Sequence, residues 1–131
     1  MFRKVALSLA ALVFAIPAVA VAHHSFAVFF DSNKIVRIKG KVKVFRFTNP
    51  HGTIVVSVPT RGGEMRDWQI ETNAPVMLTR RGWNRSSLRP GDEVSVEGWL
   101  ARDGSRYLRL RQVLDAQGRP IGSRPFDETE D

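Results

Sequence analysis

Lys34-Ile35-Val36-Arg37-Ile38-Lys39-Gly40-Lys41-Val42-Lys43-Val44-Phe45-Arg46-Phe47 is the stretch that decides the fold. Val36, Ile38, Val42 and Val44 fall on one face, with Gly40 in the middle of their row. Arg37, Lys39, Lys41 and Lys43 fall on the other. A period of two is the signature of a strand, because successive side chains of an extended chain point to opposite faces. Gly40 inside so long a strand predicts a bend or bulge, where a missing side chain allows strong coiling. Past Val44 the apolar phase slips to Phe45 and Phe47, which predicts a second irregularity.

Downstream, Thr48-Asn49-Pro50-His51-Gly52 reads as a turn, since Pro fixes its own φ and Gly releases the chain. A second strand follows over 53–59, with Ile54, Val56 and Val58 inward. Arg61-Gly62-Gly63-Glu64 is a hairpin signal, and a third strand covers 65–72 with Trp68 and Ile70 as core residues. Residues 73–82 read as a short helix, with Asn73 as N-cap, Pro75 in the first turn and Gly82 as the stop. A fourth strand over 93–101 alternates Val94, Val96, Gly98 and Leu100 against Glu93, Ser95, Glu97 and Trp99. Asp103-Gly104 turns the chain into a fifth strand over 106–114.

Three strands, a short helix, then two strands suit an all-β fold: a small five-stranded Greek-key barrel of the oligonucleotide/oligosaccharide-binding (OB-like) type, with one short helix between strands 3 and 4. A meander sandwich is the alternative, and Gly40 favours the barrel. Four organisational units follow: a signal peptide over 1–22, an arm over 23–33, the barrel over 34–119, and an acidic tail over 120–131 that is expected to be disordered. In the arm, Phe26, Val28 and Phe30 alternate, so part of it is expected at a sheet edge or against the core.

The first 22 residues carry Arg3 and Lys4, then a 12-residue apolar run from Val5 to Ile16, then Pro17 and small residues. That run is too short to span a bilayer, which takes about 20 residues. Cleavage after Ala20 or after Ala22 satisfies the small-x-small rule, and the cut after Ala22 is preferred. The expectation is an exported, periplasmic protein with no transmembrane segment in its mature form. The mature 109 residues make one domain, long enough to bury a core without staples. Losing Arg3 and Lys4 takes the formal charge from +7 to +5. With no Cys, disulfide scaffolds, thiol nucleophiles, Cys-based zinc sites and iron–sulfur clusters are excluded.

The basic face of the first strand invites a nucleic-acid reading, but single-strand binders interleave aromatics with their basic residues, and none alternates with these. Glu93 and Glu97 on the fourth strand offer simpler partners across a strand pair. No nucleic acid is expected; an envelope protein or a polyanion is the alternative partner for this face. Trp83 is expected to plug a barrel end. Trp99 points outward in this register; core packing or an inversion at a bulge is preferred there over a ligand platform.

The three histidines are His23, His24 and His51. A cut after Ala22 gives His23 a free α-amine beside its imidazole, and the two nitrogens can chelate one metal ion. A further imidazole from His51 or His24 completes a nitrogen-only set of the kind Cu(II) prefers. A cut after Ala20 places His23 third in the chain, where amine, backbone amides and imidazole also suit Cu(II) or Ni(II). Asp31 and Glu71 are the carboxylates available to complete or orient such a site. No Ser-His-Asp spacing, paired-carboxylate motif or phosphate loop is present, so a binding module is expected rather than an enzyme.

His23-His24-Ser25-Phe26, Lys39-Gly40-Lys41-Val42, Thr48-Asn49-Pro50-His51, Arg80-Arg81-Gly82-Trp83 and Pro90-Gly91-Asp92-Glu93-Val94 occur in that order. Together the chain resembles a family of small exported bacterial proteins known only as a domain of unknown function. The resemblance runs from His23 to about Arg119. It implies export and a small β-barrel, and it implies no activity. Gly52 departs from the bulkier residue expected after the histidine, which predicts a looser turn there.

Overall fold

The alternating basic and apolar stretch forms one long strand in the structure, a computed structural model that describes residues 26–130. The order of elements is α1 (Phe26–Phe29), β1 (Phe30–Arg46), β2 (Thr53–Pro59), β3 (Met65–Glu71), α2 (Pro75–Arg80), β4 (Glu93–Ala101) and β5 (Tyr107–Leu114). The strands hydrogen-bond as a closed ring in the order β1-β2-β3-β5-β4, which is the five-stranded Greek-key barrel expected from the sequence. Among the described residues only the β3–β5 ladder is parallel. The proposed signal peptide, His23 and His24 lie outside the described residues.

Gly40 explains how one strand serves two neighbours. A Cβ at this position would lie 2.1 Å from the Ser57 carbonyl oxygen, so only a glycine lets β1 cross β2 this closely. From Ile35 to Lys41, β1 pairs with β4; from Lys41 to Arg46 it pairs with β2. The register shifts between Val42 and Val44, which is the phase slip visible in the sequence. Inside the ring, Ile38, Val42, Ile54, Val56, Ile70, Leu78, Val96, Leu108, Leu110 and Val113 form the core, and Trp83 closes it with Phe45 against its ring.

Four expectations meet the structure, three of them corrected by it. First, β1 starts at Phe30, because the arm continues into it and Phe30 registers with Ala101. Second, α2 is shorter than expected and its N-cap is Ala74, with no capping side chain. Asn73 is instead fully buried and donates Nδ2–H to the Glu130 carbonyl at 2.7 Å. Third, Trp99 keeps the outward face of β4 and is buried there, because Phe26 and Phe30 of the arm cover it in a second small core; the packing reading holds and the ligand platform does not. Fourth, the end of the chain is docked on the barrel. Phe126 is 2% exposed, its N–H donates to the Arg111 carbonyl at 2.8 Å, and Glu130 meets Arg81. Arg81, buried, and Arg124, exposed, supply the countercharge to Glu130.

Candidate functional site

His51 sits in the connection between β1 and β2, after a cis Asn49–Pro50 peptide bond. The turn is tighter than Gly52 led the sequence to predict. Gly52 is buried, and the Thr72 N–H donates to its carbonyl at 3.0 Å. This bond ties the turn to the residue that follows β3 and brings the imidazole over the end of that strand.

There His51 meets a charged cluster. Glu71 and Arg109 are register partners on β3 and β5. Arg109 Nη1 donates to Glu71 Oε1 at 2.8 Å and to the Thr72 carbonyl at 3.1 Å. Tyr107 lies two residues before Arg109 and so shares its face. Its hydroxyl donates to Glu71 Oε2. Burial pushes the Tyr107 hydroxyl well above its ordinary pKa; the bond to Glu71 and that residue's charge add to the rise, and Arg109 opposes it. The Arg109 side chain is only 5% exposed, so the Glu71 carboxylate is the charge that makes its burial tolerable.

The ring nitrogens of His51 are not equivalent. Nδ1 lies 3.2 Å from the Thr72 carbonyl and 3.3 Å from Arg109 Nη1. The two hydrogens of that nitrogen serve Glu71 and Thr72 at the shorter distances, and the carbonyl has a second lone pair. In the tautomer with its proton on Nδ1, the imidazole donates to Thr72. Nε2 then carries the lone pair, and it lies 3.9 Å from Glu71 Oε1. An imidazole held by a carbonyl at one nitrogen and open at the other has the form of a metal ligand. Its side chain is 19% exposed, so solvent reaches it.

The arm reaches the same region. The Phe26 ring stands edge-on to Trp99 at 5.2 Å between centroids and lies 5.7 Å from Phe30. Phe30 in turn lies 5.3 Å from Tyr107, whose hydroxyl holds Glu71. Three aromatic rings thus link the first described residue to the carboxylate beside His51.

Of the site residues read from the sequence, the structure brings together His51 and Glu71. Asp31 is elsewhere: it accepts the Asn33 N–H at 3.0 Å and pairs with Lys34 at 3.8 Å. Among the described residues no group of three or more His, Asp or Glu is arranged to hold a metal ion. Arg109, Tyr107 and the Thr72 carbonyl were missed. Arg109 looks like an outward, solvated residue between Leu108 and Leu110; only the pairing of β5 with β3 reveals its partner.

The basic face is partly neutralised, as the sequence suggests. Arg37 donates to Glu97 at 2.6 Å, Arg111 bonds the other oxygen of the same carboxylate, and Lys43 reaches Asp67 at 2.7 Å. Burial works against the charge on Glu97, yet the two arginines outweigh it and hold its carboxyl below the usual range. Lys39 and Lys41 border a shallow groove of about 430 Å³ with Ser57, Pro59, Met65 and Glu93.

A model of a family of unknown function (DUF6152) matches residues 11–109, which takes in all three histidines, Glu71 and Arg109. No curated protein matches the chain.

Proposed function

The chain belongs to this family of unknown function, and from that premise we propose that it is an exported, periplasmic metal-binding module that holds Cu(II) through His51 and a mature N-terminal His23, with His24 as a further nitrogen. The observation that carries the reading is the meeting of two things at one end of the barrel. One is the half-buried His51 imidazole, whose Nε2 lies 3.9 Å from Glu71 Oε1. The other is Phe26, seated on the aromatic chain that ends at Glu71. His23 precedes Phe26 by three residues, and an extended chain covers about 10 Å in that distance.

The donor chemistry fits the ion. A terminal amine has a pKa of about 7.7–8.0, so a metal displaces its proton near neutral pH. Nitrogen donors suit Cu(II), which tops the divalent affinity order. The Thr72 carbonyl fixes the ring plane of His51, and Arg109 fixes Glu71. These are outer contacts of the kind that raise a histidine's quality as a ligand.

The test is a copper titration of the secreted protein after its intact mass has located the cut. About one equivalent should bind, and His51→Ala should weaken binding more than tenfold, within the ~10–100-fold that changes near a metal ligand cost. Protein that retains Met1 should bind poorly, because it lacks the histidine amine. Equal uptake by the His51→Ala variant would overturn the reading. A second reading, an adaptor for an acidic envelope partner, is favoured by the groove beside Lys39 and Lys41. Lys39→Glu with Lys41→Glu should abolish that binding and leave copper uptake intact.

A further inference from the structure

Three buried polar side chains, one on β5 and one at either end of α2, aim at the end of the chain. Arg81 is 6% exposed, Arg109 4% and Asn73 fully buried. Asn73 Nδ2 donates to the Glu130 carbonyl at 2.7 Å, and Arg109 Nη2 donates to the same oxygen at 3.2 Å. Arg81 Nη2 bonds the Glu130 carboxylate, and its Nη1 donates to the carbonyls of Pro125 at 2.9 Å and Arg124 at 3.3 Å. The Arg81 guanidinium also lies 4.9 Å from the centre of the Phe126 ring. Every one of these Arg81 contacts comes from residues 124–130. A barrel needs no such arginine for its own ladder, and a buried charge is tolerated only when it is paired. These side chains are therefore shaped around residues 124–130, with the Glu130 carboxylate as the charge that Arg81 meets.

We propose that Asn73, Arg81 and Arg109 form a binding site for an acidic peptide, occupied here by the chain's own residues 127–130, and that its occupancy sets the His51 imidazole. Arg109 is the link. Its Nη2 is held by Glu130, while its Nη1 holds Glu71 and the Thr72 carbonyl, which are the two groups that face the His51 ring. A planar guanidinium cannot move one nitrogen without the other. When the acidic segment leaves, Arg109 loses the bond that fixes its fork, and Glu71 and His51 lose their common brace. Asp127, Glu128 and Thr129 are exposed between the Phe126 and Glu130 anchors, so the segment is a hook that can lift without emptying the core. Arg109 acts here as a positioning residue. The regulatory consequence for copper rests on the metal reading above; the peptide site does not.

The experiment compares the secreted full chain with a version ending at Phe126. In metal-free protein, the truncation should shift the His51 ring nitrogen resonances. A synthetic peptide of residues 127–131 should then bind saturably and restore them. Titration must reach millimolar peptide, the effective concentration of a short tethered segment. A peptide with Glu130→Gln should bind several-fold more weakly. In the presence of copper, truncation should lower affinity about tenfold, and the peptide should recover it. If the truncated protein does not fold, Arg81→Met in the full chain gives the same reading: faster amide exchange over 127–130 and shifted His51 signals. Unchanged His51 resonances, or no saturable peptide binding, would overturn the proposal. If the resonances respond and copper does not bind, the peptide site stands and the metal reading fails.

Discussion

A Cβ placed on Gly52 would lie 2.5 Å from Thr72 Oγ1 and 2.7 Å from the Arg46 carbonyl oxygen. The glycine next to the candidate ligand is thus a point of contact between two backbones. Gly52→Ala should push the turn off the end of β3, at a cost of about 1–3 kcal/mol, the usual range for overpacking. Chemical denaturation of the variant would measure it. The same substitution should move His51 away from the Thr72 carbonyl and weaken copper binding alongside stability.

Glu71→Gln removes the carboxylate that offsets the buried Arg109 guanidinium. Breaking a buried pair by deleting one partner costs about 3–5 kcal/mol. The urea midpoint should fall sharply with little change in slope, because the surface exposed on unfolding is the same. Tyr107→Phe removes only the hydroxyl donor to Glu71 and should cost less, about 1.5–3 kcal/mol for a bond to a charged group.

Glu97 gives the barrel an acid-sensitive clasp. Its folded pKa lies below the ordinary value of 4.5, since Arg37 and Arg111 outweigh the burial that would raise it. A depressed carboxylate contributes its full stability above the ordinary value and loses it as pH falls through the folded one. Glu130 shifts in the same direction, against its own burial, through the Asp127 N–H and then Arg81 and Arg124. Melting temperatures taken from about pH 6 down to about pH 3 should therefore fall for the native protein. Glu97→Gln should be less stable near neutrality and should converge with the native protein at the acid end.

Phe126→Ala tests the docking of the chain end. The ring is 2% exposed within the main core, and truncating such a side chain costs about 3–5 kcal/mol. Limited proteolysis should cut the variant after residue 120 under conditions that spare the native protein.

The fold was legible because strand alternation is a local property. The rows Val36, Ile38, Val42 and Ile54, Val56 declared their faces, and Gly40 declared where β1 must coil. The candidate site was half legible. His51 and Glu71 could be named as residue types suited to a metal. Arg109 and Tyr107 could not, because their meeting with Glu71 depends on a parallel pairing between strands that are distant in the chain. The C-terminal hook was misread for a related reason. Four acids in the last five residues look solvated when Arg81, which pairs with Glu130, lies dozens of residues upstream. Trp99 was read on the correct outward face and as packed, but the arm that covers it there was not legible.

The ring of strands is fastened at β3 and β5 by only three register pairs, from Gln69–Tyr107 to Glu71–Arg109. The cluster beneath His51 is therefore also the clasp of the hoop. Whatever occupies that clasp tightens the hoop as a whole, so amide protons in the core should report a guest at the rim before any local probe is attached.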